Sequence, residues 1–225
     1  MLFQAILFDF DGVLANSEPL HFQSFAQVLK VMGHEFTSAA YLSRYIHGDD
    51  ETVFRMLSAD RDFGWSEQRV LELGAQKRAV FLDFLQDRDL LYPGVPDLVR
   101  SLRDQVPLAV VSMADRPLIE RSLARAGIAS CFELIVSASD VTRPKPDPQP
   151  YLQGLAGLNA RRPQQPPIQP GACGVVEDSG GGVRSGKAAG MTVVGLTHNL
   201  PAASLREAGA DHVFDGIGAL RQWLS

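Results

Sequence analysis

The sequence predicts an α/β fold: a doubly wound parallel sheet that carries an inserted block of helices. Three observations predict it. Six short apolar runs, at 5–8, 108–111, 134–136, 174–176, 193–196 and 212–214, end in polar or glycine-rich turns. Most are continuously apolar rather than alternating, as expected of strands buried on both faces of a parallel sheet. Helix-patterned segments lie between them, and strand alternating with helix implies right-handed crossovers.

The first run, Ala-Ile-Leu-Phe at 5–8, stops at Asp9. The alternation then breaks. Between 19 and 90 no strand pattern stands out and helical stripes recur: Phe22, Phe25, Ala26 and Leu29, then Val70, Leu71 and Gly74, then Val80, Phe81, Phe84 and Leu85. This stretch is too long for one crossover helix and reads as an inserted helical domain. The Tyr92-Pro93-Gly94 turn marks the return to the sheet. Val95, Leu98, Val99 and Leu102 sit at helical spacing before the second strand. Helices at 118–126 and 183–189 fill the next gaps. Residues 161–171, rich in proline and glutamine, read as an extended connection or as a polyproline-type recognition peptide.

A chain of 225 residues suits one domain with a smaller inserted one, and it can bury a core without disulfides or a structural metal. Hydrophobic residues make up 45%, which excludes a disordered chain, and the net charge of −5 excludes a general basic footprint for nucleic acid. The two cysteines, Cys131 and Cys173, make no disulfide framework or zinc cluster, so a reducing cytoplasm is expected. The first residues lack a basic region, and Asp9 and Asp11 interrupt the apolar run, so no signal peptide is expected. No stretch approaches the roughly 18 apolar residues of a membrane helix.

Chemistry concentrates at strand ends. Asp9-Phe10-Asp11-Gly12 places two carboxylates beyond the first strand, in the crevice where parallel sheets bind ligands. Close buried carboxylates repel unless a cation or a shared proton compensates, and a hard divalent ion such as Mg2+ suits oxygen ligands. A turn with acids capping a helix is the plainer reading of that pair alone. A second pair, Glu177-Asp178, ends another strand ahead of Ser179 and Gly180 to Gly182, which read as a tight turn behind Asp178. Ser112 ends the second strand. Lys145, one of four lysines, is stiffened by Pro144 and Pro146. A rigid cation among carboxylates makes sense where a phosphate must also bind.

Together these segments resemble the haloacid dehalogenase (HAD) superfamily over nearly the whole chain. Asp9 to Val13 resembles its first motif, Val111-Ser112 the second, Lys145 the third, and Glu177-Asp178-Ser179 with Gly182 the fourth. Ala188 to Met191 resembles the helix end that follows. The insert resembles the cap of the branch that holds β-phosphoglucomutase and many sugar-phosphate phosphatases. The resemblance implies a Rossmann-like α/β core of residues 1–16 and 91–225 with a helical cap of residues 17–90. It implies Asp9 as nucleophile, Asp11 as general acid and base, and Mg2+ on Asp9, the Asp11 carbonyl and Asp178, with Glu177 as ligand or near-ligand. It implies Ser112 and Lys145 on the phosphoryl oxygens, with Gly12 in the backbone cradle. The implied partner is a small phosphorylated metabolite, with no nucleic acid and no membrane, and the chain is expected as a monomer or weak homodimer.

Metal-free dehalogenases of this superfamily typically lack the second aspartate, so Asp11 favours phosphoryl transfer. Phosphatase and mutase remain the two readings. Ser17 and His21 match a mutase-like pattern, yet two mutase cation positions hold Glu51 and Asp115, for which Arg116 or Arg44 would have to compensate. Cap candidates for substrate contact include His21, His47 and Asp49. His21 is otherwise an ordinary helix residue, and the His47 to Asp50 turn a solvated loop. Gly181 to Ala188 nearly spells a P-loop, but Ala188 stands where a metal-binding hydroxyl is required. A binding module without turnover is a third reading, against which the intact acidic and basic set counts.

Overall fold

The computed structural model describes residues 2–46, 48–85 and 88–224. The chain divides into two compact units, Met1–Asn16 with Asp89–Ser225, and Ser17–Arg88. Along the chain, β1 (Ala5–Phe8) precedes α1 (Glu18–Val31), α2 (Ser38–Ala40), α3 (Asp50–Asp60) and α4 (Glu67–Leu85) of the helical unit. The sheet unit resumes with α5 (Val95–Arg103), β2 (Leu108–Val111), α6 (Arg116–Arg125), β3 (Leu134–Val136) and α7 (Gln149–Ala160). It finishes with β4 (Cys173–Glu177), α8 (Gly180–Ala188), β5 (Thr192–Leu196), α9 (Ala202–Glu207), β6 (His212–Phe214) and α10 (Ile217–Leu224).

The six strands form one parallel sheet in the order β3-β2-β1-β4-β5-β6. The winding reverses between β1 and β4, which opens a crevice at their carboxyl ends. Phe8 is in register with Val110 on one side and Val176 on the other. The carboxyl ends of β1, β2 and β4 therefore emerge at one level, with Asp9 next in register to Glu177 on one side and, on the other, to Val111, which Ser112 follows. The backbone N–H of Asp9 still donates to Val176 O at 3.0 Å, so this carboxylate leaves from the end of a rigid ladder. Where the chain leaves and re-enters this unit, Asn16 N donates to Leu90 O and Tyr92 N to Leu14 O, at 2.7 and 2.9 Å.

The expected strands are present, with β4 and β5 slightly longer than their apolar runs. The helix expected from 118 begins at Arg116, with Asp115 at its N-cap position and Pro117 in its first turn. The glycines after Ser179 are not a tight turn. They form the first turn of α8, where Ser179 Oγ accepts from Gly182 N at 3.0 Å as an N-cap. The helix expected ahead of the proline-rich segment is α7, whose bounds Pro150, Gly154 and Gly157 obscure in the sequence. Gly154 allows close approach to the sheet, since a Cβ there would lie 2.8 Å from Leu7 and Val111 side-chain carbons. The proline-rich segment joins α7 to β4. It is anchored at Ile168, whose N–H and C=O both bond the Asn159 side chain, at 2.8 and 3.0 Å.

In the helical unit, α1 and α3 both pack on α4. Phe25, Leu29, Phe54, Leu57 and Leu73 are buried there. Among the described residues no helix is long and apolar enough to cross a membrane.

Candidate active site

Lys145 organises the site. It sits on the loop between β3 and α7, which is tied down on both sides. Gln149 Oε1 accepts from Arg143 N at 2.7 Å, and Ser185 Oγ donates to Asp147 O at 2.6 Å. The Lys145 ammonium has three protons and three acceptors. It donates to Asp9 Oδ1 at 2.9 Å, Glu177 Oε1 at 2.6 Å and the Val111 carbonyl at 2.9 Å. It also lies 4.8 Å from the centre of the Tyr151 ring. Two carboxylates and one main-chain carbonyl, from three strand ends, thus meet at the nitrogen of this loop lysine.

Glu177 is fully buried, and both of its oxygens are committed. Oε1 accepts from Lys145 and from Tyr151 Oη, the latter at 2.8 Å. Oε2 accepts from the backbone N–H groups of Asp178 and Ser179 and from Ser179 Oγ, at 3.1, 3.2 and 3.0 Å. Burial alone would raise its pKa, but the charge of Lys145 and these hydrogen bonds hold it below the usual carboxylate range. Of the two roles that the sequence reading left open for Glu177, ligand or near-ligand, this saturation fits the near-ligand that positions Lys145. A Cβ on Gly182 would overlap the Glu177 carboxylate, which explains a glycine inside this helix.

Asp178 is buried and accepts from Asn199 Nδ2 at 2.7 Å. Carboxylate oxygens of Asp9, Glu177 and Asp178 all lie within 4.8 Å of one another. Burial and the charges of Glu177 and Asp9 push Asp178 well above its ordinary range. Burial, with Glu177 and Asp11, pushes Asp9 up to about 7 against the pull of Lys145. Three carboxylates against one ammonium is an acidic excess, and its relief by a hard divalent cation is the chemistry this donor set suits.

Asp11 is half-buried, two residues past Asp9, and bridges to Ala15. Gly12 is buried at φ +72°, where a Cβ would overlap the Asp178 carboxylate. Ser112 is buried, and its Oγ accepts from Ala114 N at 3.2 Å.

His21 and Asp49 belong to the helical unit, and His47 lies outside the described residues. Buried Lys77 donates to Asp50 Oδ1 at 2.6 Å and stands 2.6 Å from His21 Nδ1. An ammonium cannot accept, so Nδ1 is the unprotonated nitrogen of a neutral ring. Burial and the Lys77 charge lower the His21 pKa to about 3. Asp49 is the N-cap of α3 and accepts from Thr52 N at 2.7 Å, which accounts for an acid there without a ligand. Arg44 forks onto Asp60, Arg116 donates to Asp140 Oδ2 at 2.7 Å, and Glu51 accepts from Arg78 at 2.7 Å. Lys187, of the P-loop-like run, pairs with Asp211 at 2.7 Å.

Sequence reasoning missed Tyr151, His198 and Asn199. The last two follow β5, and inspecting the carboxyl end of every strand, rather than the acidic ends alone, would have found them.

Residues 6–196 match the family model of the haloacid dehalogenase-like hydrolases. A phosphorylated carbohydrates phosphatase of Thermotoga maritima is 33% identical over 217 residues, covering 92% of each chain. Fructose-1-phosphate phosphatase YqaB of Escherichia coli is 27% identical over 196 residues, covering 85% of this chain and 95% of its own. Among solved structures, a HAD family hydrolase from Deinococcus radiodurans, crystallised with phosphate and sodium, is 29% identical. It superposes with a TM-score of 0.79 over 99% of this chain and 95% of its own. A predicted phosphoglycolate phosphatase from Haemophilus somnus, at 23% identity, shares the fold with a TM-score of 0.84 over 100% of this chain and 99% of its own. With three strand-end motifs gathered around the lysine of a fourth and the family match running from the first strand through the fifth, this chain belongs to the haloacid dehalogenase-like hydrolases.

Proposed function

We propose that the protein is a Mg2+-dependent phosphatase that hydrolyses a small phosphorylated metabolite, a sugar phosphate, through a phosphorylated Asp9. The carrying observation is the Asp9–Lys145–Glu177 constellation beside Asp178 at the sheet's switch point. The relatives named as phosphatases of phosphorylated carbohydrates support the substrate class.

The roles follow from the side chains. Asp9 stands at a strand end and would attack phosphorus as the substrate's leaving oxygen departs. Asp11 would protonate that oxygen, then take a proton from the water that cleaves the acyl phosphate and returns Asp9 to a free carboxylate. Lys145, anchored by Glu177, would hold a phosphoryl oxygen, as would Ser112. Asp9, Asp178 and the Asp11 carbonyl are the groups suited to hold the metal, with Glu177 as positioning residue. Bound there, Mg2+ supplies Lewis-acid charge neutralisation between carboxylates and phosphate.

Hydrolysis is favoured over the mutase reading. Arg44 and Arg116 are engaged by Asp60 and Asp140, which counts against either as the cation that Glu51 and Asp115 fail to provide.

The test is phosphate release across sugar phosphates, phosphoglycolate and nucleotides, with and without Mg2+. Release from sugar phosphates, abolished by chelation and reduced on the order of a thousandfold or more in Asp9→Asn, is expected. Full activity in Asp9→Asn would remove Asp9 as nucleophile. Isomerisation of β-glucose 1-phosphate without release would overturn the phosphatase reading.

A further inference from the structure

His198 and Asn199 lie just beyond β5, outside the four motifs. His198 Nδ1 is 2.7 Å from the Gly12 carbonyl. A carbonyl only accepts, so Nδ1 carries the proton. The imidazole stacks on Tyr92, with ring centres 4.0 Å apart and planes inclined by 24°. Asn199 Nδ2 donates to Asp178 Oδ2 at 2.7 Å. Between these two grips, Gly12 packs so closely that a Cβ would lie 2.5 Å from Asn199 Nδ2. Adjacent side chains of one loop therefore hold a carbonyl of the Asp9–Gly12 loop and the carboxylate that follows β4.

We propose that His198 and Asn199 form a positioning clamp that sets the backbone at Asp11–Gly12 against Asp178. The proposal rests on the phosphatase reading in so far as those groups serve Mg2+ and phosphate. Glycine at positive φ has the freest backbone available, and no side chain of its own restrains this peptide. The Gly12 N–H donates to Ala15 O at 2.7 Å, and the hydrogen bond from His198 restrains its carbonyl. The bond from Asn199 orients the Asp178 carboxylate in the same way that outer partners orient metal ligands generally. Both residues act through Gly12 and Asp178, so they are positioning residues.

Two substitutions separate the hydrogen bond from the ring stack. His198→Phe keeps a ring for Tyr92 and removes the donor. His198→Asn places an amide nitrogen where Nδ1 stood and removes the ring. The clamp predicts that His198→Phe loses roughly ten- to a hundredfold in kcat on the preferred sugar phosphate and in Mg2+ affinity by calorimetry. KM should stay within about twofold, because the loss falls on the reacting geometry. His198→Asn should recover most of both losses while unfolding at a lower temperature than His198→Phe. The reverse ranking, with Phe near wild type and Asn impaired, would show a merely structural stack and overturn the clamp. If His198→Phe does not fold, Asn199→Ala carries the test, and unchanged Mg2+ affinity in it overturns the proposal. If wild type binds Mg2+ but releases no phosphate, the phosphatase reading fails alone and the Mg2+ ranking still decides the clamp. A wild-type chain that binds no Mg2+ overturns both.

Discussion

Lys145 Nζ stands 2.9 Å from Asp9 Oδ1 although 136 residues separate them. The sheet order explains the meeting. β1 lies between β2 and β4, and the loop after β3 returns across their carboxyl ends. The same ammonium reaches Glu177 and the Val111 carbonyl, so one side chain ties together the ends of three strands. Burial would lower its pKa, but Asp9 and Glu177 raise it above the ordinary lysine value, and it stays charged across the working pH range.

Lys145→Met should therefore be costly before any catalysis is measured. Asp9 and Glu177 would remain buried without their cation. Breaking a buried pair from one side costs about 3–5 kcal/mol, to be read by urea denaturation at neutral pH. Mg2+ should stabilise the variant, since a cation among the remaining carboxylates offsets part of the lost charge. Stability equal to wild type would mean that this network is not formed in solution.

Tyr151→Phe removes a single donor and leaves the packing in place. Tyr151 is fully buried, and burial together with the Glu177 charge keeps its hydroxyl protonated. A hydrogen bond to a charged group contributes about 1.5–3 kcal/mol, so unfolding should require correspondingly less denaturant. The phosphatase rate should fall as well, because Glu177 would lose one of the bonds that hold it in position. A variant with unchanged stability and rate would contradict this geometry.

Gly182 and Gly181 offer a matched pair on α8. Alanine is the better helix former by up to about 1 kcal/mol, yet Gly182→Ala drives its methyl into the Glu177 carboxylate. Overpacking of this kind costs about 1–3 kcal/mol, so net destabilisation and reduced turnover are expected. At Gly181 a Cβ meets nothing within 4 Å. Gly181→Ala should be neutral or stabilising by about 0.4–1 kcal/mol. Thermal melts of both variants decide it, and equal effects would refute the close approach of Glu177 to α8.

His21 should leave a signature in the pH dependence of stability. Its folded-state pKa, about 3, lies below the ordinary 6.5, so the unfolded chain takes up the proton first. The stabilisation is complete above about pH 6.5 and is lost as pH falls towards 3, with a slope approaching about 1.4 kcal/mol per pH unit. Lys77 faces the ring. Glu18 and Asp50, both raised by burial, act in the opposite sense: their contribution is present at low pH and lost as pH rises. Comparing wild type with His21→Asn between pH 7 and 4.5 isolates the histidine. Wild type should lose stability more steeply, and parallel curves would refute a buried neutral ring.

Strands, the helical insertion and the acidic and basic residues at the strand ends were legible in the chain itself, because each is written over a few neighbouring positions. A continuous apolar run that stops at Asp9 or Glu177 marks a strand end, and the prolines around Lys145 mark a stiff loop. The pairings were not legible. Strand order and the packing of α7 decide that Glu177 Oε1 is spent on Lys145 and Tyr151. Strand order decides too that Gly12 comes to lie between Asp178 and His198. Asp49 shows the same limit locally. An acid in a turn reads equally as a ligand contact or as a cap, and the hydrogen bond to Thr52 N makes it a cap. Sequence by itself determined which groups were available. Only the tertiary structure decided which of them are satisfied by one another, because a buried carboxylate takes its charge and its hydrogen bonds from whatever long-range packing brings to it.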